Sequence, residues 1–166
     1  MIIDQHLNYY YANGNYLEVL KSKEDVLKNW DFLKEGFDQM NNPAKANMNE
    51  SESAFSKTLI KAVYSWPDAF VGVLRSKNGK VLGYGVGYDS TSAFQDSRSL
   101  WIYATYSNRK YKNTVKDMLS WAELFAKQYG FSEIGTATGR INGAAFYWYE
   151  KRLGFSRRFV TFRKGV

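Results

Sequence analysis

Cysteine is absent from this chain of 166 residues. Its absence removes disulfides, thiolate-zinc sites and a cysteine nucleophile together, and it makes an intracellular, cytoplasmic location the natural expectation. Histidine is scarce too: His6 is the single one, and its place in a segment of no clear pattern marks it as a surface residue rather than a base. Paired carboxylates, metal-ligand spacing, a phosphate-binding P-loop and a serine elbow are all missing, so no metal site is expected. No uncharged apolar run approaches the length of a membrane span. Met1-Ile2-Ile3-Asp4 passes into Tyr and Asn without the basic start and apolar core of a signal peptide, which predicts a soluble protein. Internal repeats, heptads and low-complexity tracts are missing as well.

Apolar material, by contrast, is plentiful. Hydrophobic residues make up 45% of the chain and aromatic residues 17%, far from the composition of a disordered segment. A chain of this length fits one ordinary domain, residues 1–166, with a core that needs no metal or disulfide. The net charge of +7 suits an anionic partner, either a nucleic-acid backbone or the phosphates of a cofactor. The basic residues cluster late, as Arg109, Lys110 and Lys112, then as Lys151, Arg152, Arg157, Arg158, Arg163 and Lys164. No nucleic-acid-binding motif accompanies that charge, so nucleic acid is the less favoured partner.

The order of elements follows from periodicity and turn residues. Asn13-Gly14 supplies a turn before a strand over 15–20. Ser22 caps a helix over 24–39, with Val26, Trp30, Leu33 and Phe37 at helical spacing and Asp25 near the capping-box position. Asn41, Asn42 and Pro43 open a surface loop. A second helix carries Phe55, Leu59, Ile60, Val63 and Tyr64 and stops at Trp66-Pro67. Strands over 69–75 and 81–88 flank the turn Lys77-Asn78-Gly79-Lys80, and a third strand covers 100–105. A long helix from Asn113 closes at Gly130, a strand follows over 132–138, a short helix runs from Asn142 to Arg152, and a last strand covers 155–163. Strand, helix, strand in the second half predicts a right-handed crossover between near-parallel strands.

The stretch Asn142-Gly-Ala-Ala145 followed by Tyr149-Glu-Lys-Arg-Leu-Gly154-Phe155 resembles the late-helix pattern of the GNAT N-acetyltransferases, with one extra residue, Arg152 or Leu153, before Gly-Phe. Tyr106 to Thr114 stands where that family places an Arg-rich, Gly-rich turn ahead of its long third helix, although Lys112 and Thr114 occupy positions of glycines. The resemblance covers about 69–160 by motif and the remainder by order of elements. It implies an α+β fold with a mixed, mostly antiparallel sheet of about six strands flanked by about four helices.

The same resemblance implies acetyl-CoA as co-substrate and a primary amine, on a small molecule or a protein, as acceptor. Backbone groups of Ile102, Tyr103 and Ala104 would polarise the thioester, and Arg109, Lys110, Lys112, Asn113 and Thr114 would hold the pyrophosphate at a helix N-terminus. Asn142 would bond the pantetheine arm or cap its helix, and Tyr149 would protonate the departing thiolate or pack among its aromatic neighbours. Asp89 or Asp96 would serve as base. Eleven residues follow Phe155, enough for one strand where the family has a hairpin, so residues 2–11 or a neighbouring subunit are expected to cover the C-terminal edge. Small, basic, cysteine-free chains with an altered glycine turn also resemble GNAT-like proteins of bacteriophages. That leaves a second reading open, a module kept for binding or assembly in a phage particle or at a host protein.

Overall fold

A computed structural model describes residues 2–42, 51–93, 96–108, 110–111, 113–137 and 143–157. Six strands form one sheet in chain order: β1 (Tyr9–Tyr10), β2 (Tyr16–Val19), β3 (Ala69–Arg75), β4 (Val81–Asp89), β5 (Arg98–Ser107) and β6 (Phe131–Thr136). Neighbours are antiparallel as far as β5, and β5 and β6 are parallel. The helices among the described residues are α1 (Lys23–Lys28), α2 (Trp30–Met40), α3 (Glu52–Val63), α4 (Thr114–Gln128) and α5 (Gly143–Tyr147), the last running into a π-helical turn, Trp148–Arg152. The mixed, mostly antiparallel sheet between helices is the α+β architecture expected from the sequence.

Two cores form, one on each face of the sheet. Under α1 to α3, Val26, Leu33, Phe37, Phe55, Leu59 and Val63 pack on Val71, Val73, Tyr84, Val86 and Ala104. Under α4, Met118, Trp121, Ala122, Phe125 and Ala126, spaced three and four apart, pack on Phe70, Leu74, Leu100, Ile102 and Phe131. Gly130, with φ of 76°, ends α4 in the left-handed conformation that glycine adopts without strain.

Ser22 caps α1 as expected, accepting from the Asp25 N–H at 3.1 Å, while the Asp25 carboxylate accepts from the Lys21 N–H at 2.9 Å. The single helix expected over 24–39 is divided at Asn29. The Asn29 amide donates to the Asp25 carbonyl at 2.8 Å and accepts from Arg75 at 2.9 Å. A side chain that bonds backbone locally offers the chain an alternative to continuing the helix. The N-terminal residues also depart from expectation. Tyr9 and Tyr10 pair with β2 at the edge of the sheet farthest from β6, and Ile3 is clamped to α4 by paired bonds with the Gln128 side chain, each 2.6 Å. They therefore do not cover the C-terminal edge. Of the last expected strand, 155–157 are irregular and 158–163 lie outside the described residues, as does 43–50 of the expected loop.

Candidate functional site

The site is built on β5. Its first half, Arg98 to Ile102, pairs with β6, and Arg98 fastens that end. The Arg98 guanidinium meets Asp89 at 2.7 Å, Asp68 at 2.9 Å and the Tyr129 carbonyl at 2.6 Å, and lies 4.1 Å from the centre of the Phe131 ring. Pairing stops at Ile102, whose carbonyl accepts from the Thr136 hydroxyl at 3.1 Å. From Tyr103 to Ser107 the strand stays on β4, and no strand among the described residues pairs with its other side. β6 ends at Thr136, so among the described residues no strand continues along this edge of β5 beyond Ile102, and a gap follows the last parallel pair.

A bulge marks that place. Gly87 opposes Ile102 and Val86 opposes Ala104, which makes Tyr103 an extra residue in β5. Such an insertion bends the strand and increases its local twist. It also exchanges faces: Leu100 and Ile102 lie in the core under α4, whereas Ala104 lies in the core under α1 to α3. The strand positions that the sequence singled out, Ile102, Tyr103 and Ala104, thus sit at the start of the gap. Tyr103 packs its ring near Phe55 and Tyr88 on the face away from α4.

Helix α4 begins beside the gap. The amides of Thr114, Val115 and Lys116 fall in its first turn and have no carbonyl to bond within the helix; the Asp117 N–H closes the first bond, to Asn113 O at 2.9 Å. Asn113 has φ of 68°, a left-handed conformation that Asn tolerates better than most residues, and its exposed side chain makes no capping bond. Lys110 is exposed in the same turn, its N–H held by the Asn108 side chain at 3.1 Å.

Thr114 behaves differently from the cofactor contact expected of it. Its side chain is 3% exposed, its hydroxyl donates to the Tyr111 carbonyl at 3.2 Å, and its methyl carbon lies 2.6 Å from the place a Cβ on Gly83 would take. Thr114 therefore turns its methyl inward, onto Gly83. Gly83 leaves the room beneath the turn that this methyl takes. Arg109, Lys112 and Asn142, the other expected contacts, lie outside the described residues.

An apolar cleft opens beneath α4 at the gap, with Ile102, Thr105, Met118, Thr136, Tyr149 and Phe155 in its walls. Tyr149 reaches it from the π-helical turn. There the Leu153 N–H bonds Trp148 O at 3.1 Å and the Phe155 N–H bonds Tyr149 O at 3.0 Å, with Gly154 at φ of 75°. A π turn holds one residue more than an α turn, so it absorbs the extra residue that precedes Gly154-Phe155. The Tyr149 ring stands edge-on to Trp148 at 5.4 Å and to Phe155 at 6.0 Å.

Asp89 is not brought to the cleft. It sits at the end of β4 beside the fixed half of β5, paired with Arg98 and accepting from the backbone and side chain of Thr91. Partial burial alone would raise its pKa, but the bonds from Thr91 and the bonds and charge of Arg98 outweigh it and hold the carboxyl below its ordinary value. A carboxylate so occupied is a weak proton acceptor. Asp96 is exposed in the loop between β4 and β5. Sequence reasoning passed over Glu35, on α2, whose carboxylate accepts from the Tyr106 hydroxyl at 2.6 Å and so meets the free half of β5 from the face opposite α4. It passed over Met118 and Thr136 of the cleft as well. Among the described residues no group of His, Asp and Glu is placed to hold a metal, and no helix is long and apolar enough to cross a membrane.

A sheet that is antiparallel up to a bulged strand, a crossover helix following that strand, and a parallel strand paired with its first half are the arrangement of the GNAT fold. The chain has that fold. Among solved structures it is similar to a GNAT family acetyltransferase of Staphylococcus aureus, at 17% identity and a TM-score of 0.65, over 92% of this chain and 99% of that one. It is similar to an aminoglycoside acetyltransferase from a soil metagenome, solved with sisomicin, at 17% identity and a TM-score of 0.67, over 93% and 97%. A ribosomal-protein-alanine N-acetyltransferase of Brucella melitensis gives 12% identity and a TM-score of 0.67, over 92% and 99%. No family model and no curated protein matches the sequence.

Proposed function

We propose that the protein is an N-acyltransferase of the acetyl-CoA-dependent kind, moving an acyl group to a primary amine. The observation that carries this reading is the apolar cleft where β5–β6 pairing ends beside the Tyr103 bulge, with Val115 of α4's first turn and Tyr149 both in its walls. The groups present suit acetyl-CoA. Amides at a helix N-terminus and the cationic Lys110 suit a pyrophosphate, and an apolar cleft with a few polar groups suits the arm that follows it.

When bound, acetyl-CoA supplies an acyl carbon activated as a thioester. A peptide N–H of β5 beyond Ile102 would meet the thioester's carbonyl oxygen, where charge would grow during attack; one such donor is commonly worth about 100- to 1000-fold in rate. Tyr149 would hand a proton to the departing sulfur, a role its phenolic O–H allows. Glu35, through water, takes the proton that the amine loses from the opposite face. The amine nitrogen gains the acyl carbon, the carbon–sulfur bond breaks, and a free thiol leaves.

Calorimetric titration with acetyl-CoA tests the reading directly. Binding in the micromolar range, followed by thiol release on adding a panel of amines, is the expected result. No heat of binding at millimolar acetyl-CoA would end it.

A further inference from the structure

Helix α4 starts without a side-chain cap: Asn113 stands in the left-handed conformation and makes no capping bond. The first turn of such a helix is its least constrained part, because its amides have no carbonyl to bond within the helix and nothing local holds them. What holds the turn here comes from the other end of the chain. The Tyr11 hydroxyl donates to the carbonyl of Asp117, a first-turn residue 106 positions away, at 2.7 Å. Ser120 donates to the same carbonyl, also at 2.7 Å.

Tyr11 is itself fixed. Its N–H donates to the Asn15 carbonyl at 2.8 Å and its carbonyl accepts from the Gly14 N–H at 2.9 Å, which seats it in the turn between β1 and β2. Its ring meets Tyr9 edge-on at 5.0 Å and packs on the core under α4. Burial, and after it the charge of Asp117, push the pKa of the phenol up, so the hydroxyl keeps its proton and remains a donor.

The same segment grips the far end of α4. Ile3 exchanges two bonds with the Gln128 side chain, each 2.6 Å, and its carbonyl also accepts from the Tyr129 hydroxyl at 2.8 Å. Between these grips the Gln5 side chain donates to the Val63 carbonyl, at the end of α3, at 3.0 Å. Tyr9 pairs with Leu17, a wall of the cleft. At roughly 1.5 Å per residue, Asp117 and Gln128 stand about 16 Å apart along the helix. Residues 3–11 are thus a brace fastened to both ends of α4, and one fastening lies in the turn whose Val115 is a wall of the cleft.

We propose that Tyr11 is a positioning residue for the co-substrate: through Asp117 it fixes the direction of the amides of Thr114, Val115 and Lys116, which meet the pyrophosphate. The proposal rests on the acyl-CoA reading of the cleft and adds the residue that orders its phosphate end before the ligand arrives. The bonds between Ile3 and Gln128 serve the fold alone, because Gln128 is the last residue of α4 and stands apart from the cleft walls.

The test sets Tyr11→Phe against Gln128→Ala in the full chain. Tyr11→Phe deletes one hydroxyl and keeps the ring with its packing. At the usual worth of one such bond, its calorimetric Kd for acetyl-CoA should rise about fivefold, with the loss in KM for acetyl-CoA rather than in kcat. Without ligand, hydrogen exchange of the amides of 117–121 should quicken by roughly the same factor, while exchange at the other end of α4 holds. Gln128→Ala should do the reverse, lowering Tm and leaving the affinity of the folded protein within about twofold of wild type. Unchanged affinity in Tyr11→Phe overturns the proposal and leaves the reading of the cleft intact. So does unchanged exchange at 117–121, and so does an equal loss of affinity in both variants, which would make the brace a matter of stability alone. No binding of acetyl-CoA by the wild type removes the reading of the cleft and the proposal together.

Discussion

Leu100 to Ile102 has a strand on each side and Arg98 and Ser99 one on the β6 side, whereas Tyr103 to Ser107, the other half of the same strand, has one on the β4 side alone among the described residues. The first half is overdetermined. Leu100 is fully buried, Ser99 bonds Glu133 at 2.6 Å, the Ser132 hydroxyl bonds the Arg98 carbonyl at 3.0 Å, and Arg98 holds two aspartates and a ring. The second half carries an exposed Thr105 and a half-buried Tyr106 whose hydroxyl reaches an exposed carboxylate. The contrast shows how a strand can present peptide groups to a ligand without fraying. Its geometry is fixed where both neighbours and a salt-bridge network hold it, and the bulge at Tyr103 passes that fixed direction into the gap. Stability is thereby concentrated at one end of ten residues, and the proposed chemistry lies at the other.

If that division holds, substitutions in the two halves should separate. Leu100→Ala should cost about 3 kcal/mol in urea unfolding, the usual range for a leucine lost from a closed core. The affinity of the folded fraction for acetyl-CoA should move by less than about twofold. A proportional loss of affinity would show the two halves to be one unit. Tyr149→Phe should do the opposite. Turnover should fall about 100-fold, as for loss of a general acid, with acetyl-CoA affinity within about twofold and stability within about 0.5 kcal/mol. A turnover change of less than about threefold would return Tyr149 to packing alone.

The fixed parts were the legible ones. Ser22 announced its helix because capping is local chemistry, and Met118, Trp121, Ala122 and Phe125 announced the face of α4 because burial imposes a period. The surplus residue before Gly154-Phe155 was legible as a departure in spacing, and it became a π turn. What stayed hidden depends on partners distant in sequence. Asn29 breaks a helix because Arg75, on another strand, bonds its side chain. Residues 9–10 join β2 rather than the far edge because the Asn13-Gly14 turn folds them straight back. Thr114 seemed to obstruct a phosphate turn, but Gly83, on β4, gives its methyl a place beneath. Asp89 looked like an available base until Arg98, nine residues on, turned out to hold it.

Asp89→Asn offers a subtler separation, through pH. The folded carboxyl has its pKa lowered by Thr91 and Arg98, so the carboxylate contributes stability above the ordinary value near 3.9, and that contribution is lost as pH falls through the lower folded value. The variant lacks it throughout. Wild type should exceed Asp89→Asn by about 1 kcal/mol at pH 7, since the pair is partly exposed and its bonds are charge-assisted. The difference should narrow in melting curves taken below about pH 4. Thioester affinity at pH 7 should not follow it. An Asp89 acting as base would instead cut turnover with an acid-side pH limb and little change in melting temperature.

The smallest effect expected is at the turn before α4. Lys110 is exposed, and an exposed cation near an anion gains little once water and salt screen it. The amides of α4's first turn do not share that weakness, because the helix fixes their direction before any ligand arrives. Lys110→Ala should therefore weaken acetyl-CoA binding by only about threefold at low ionic strength. The loss should fade at about 0.5 M salt, where the screening length is well below 10 Å. Binding that vanished in Lys110→Ala, or collapsed in the wild type at high salt, would mean that the cations hold the phosphates and the helix end does not.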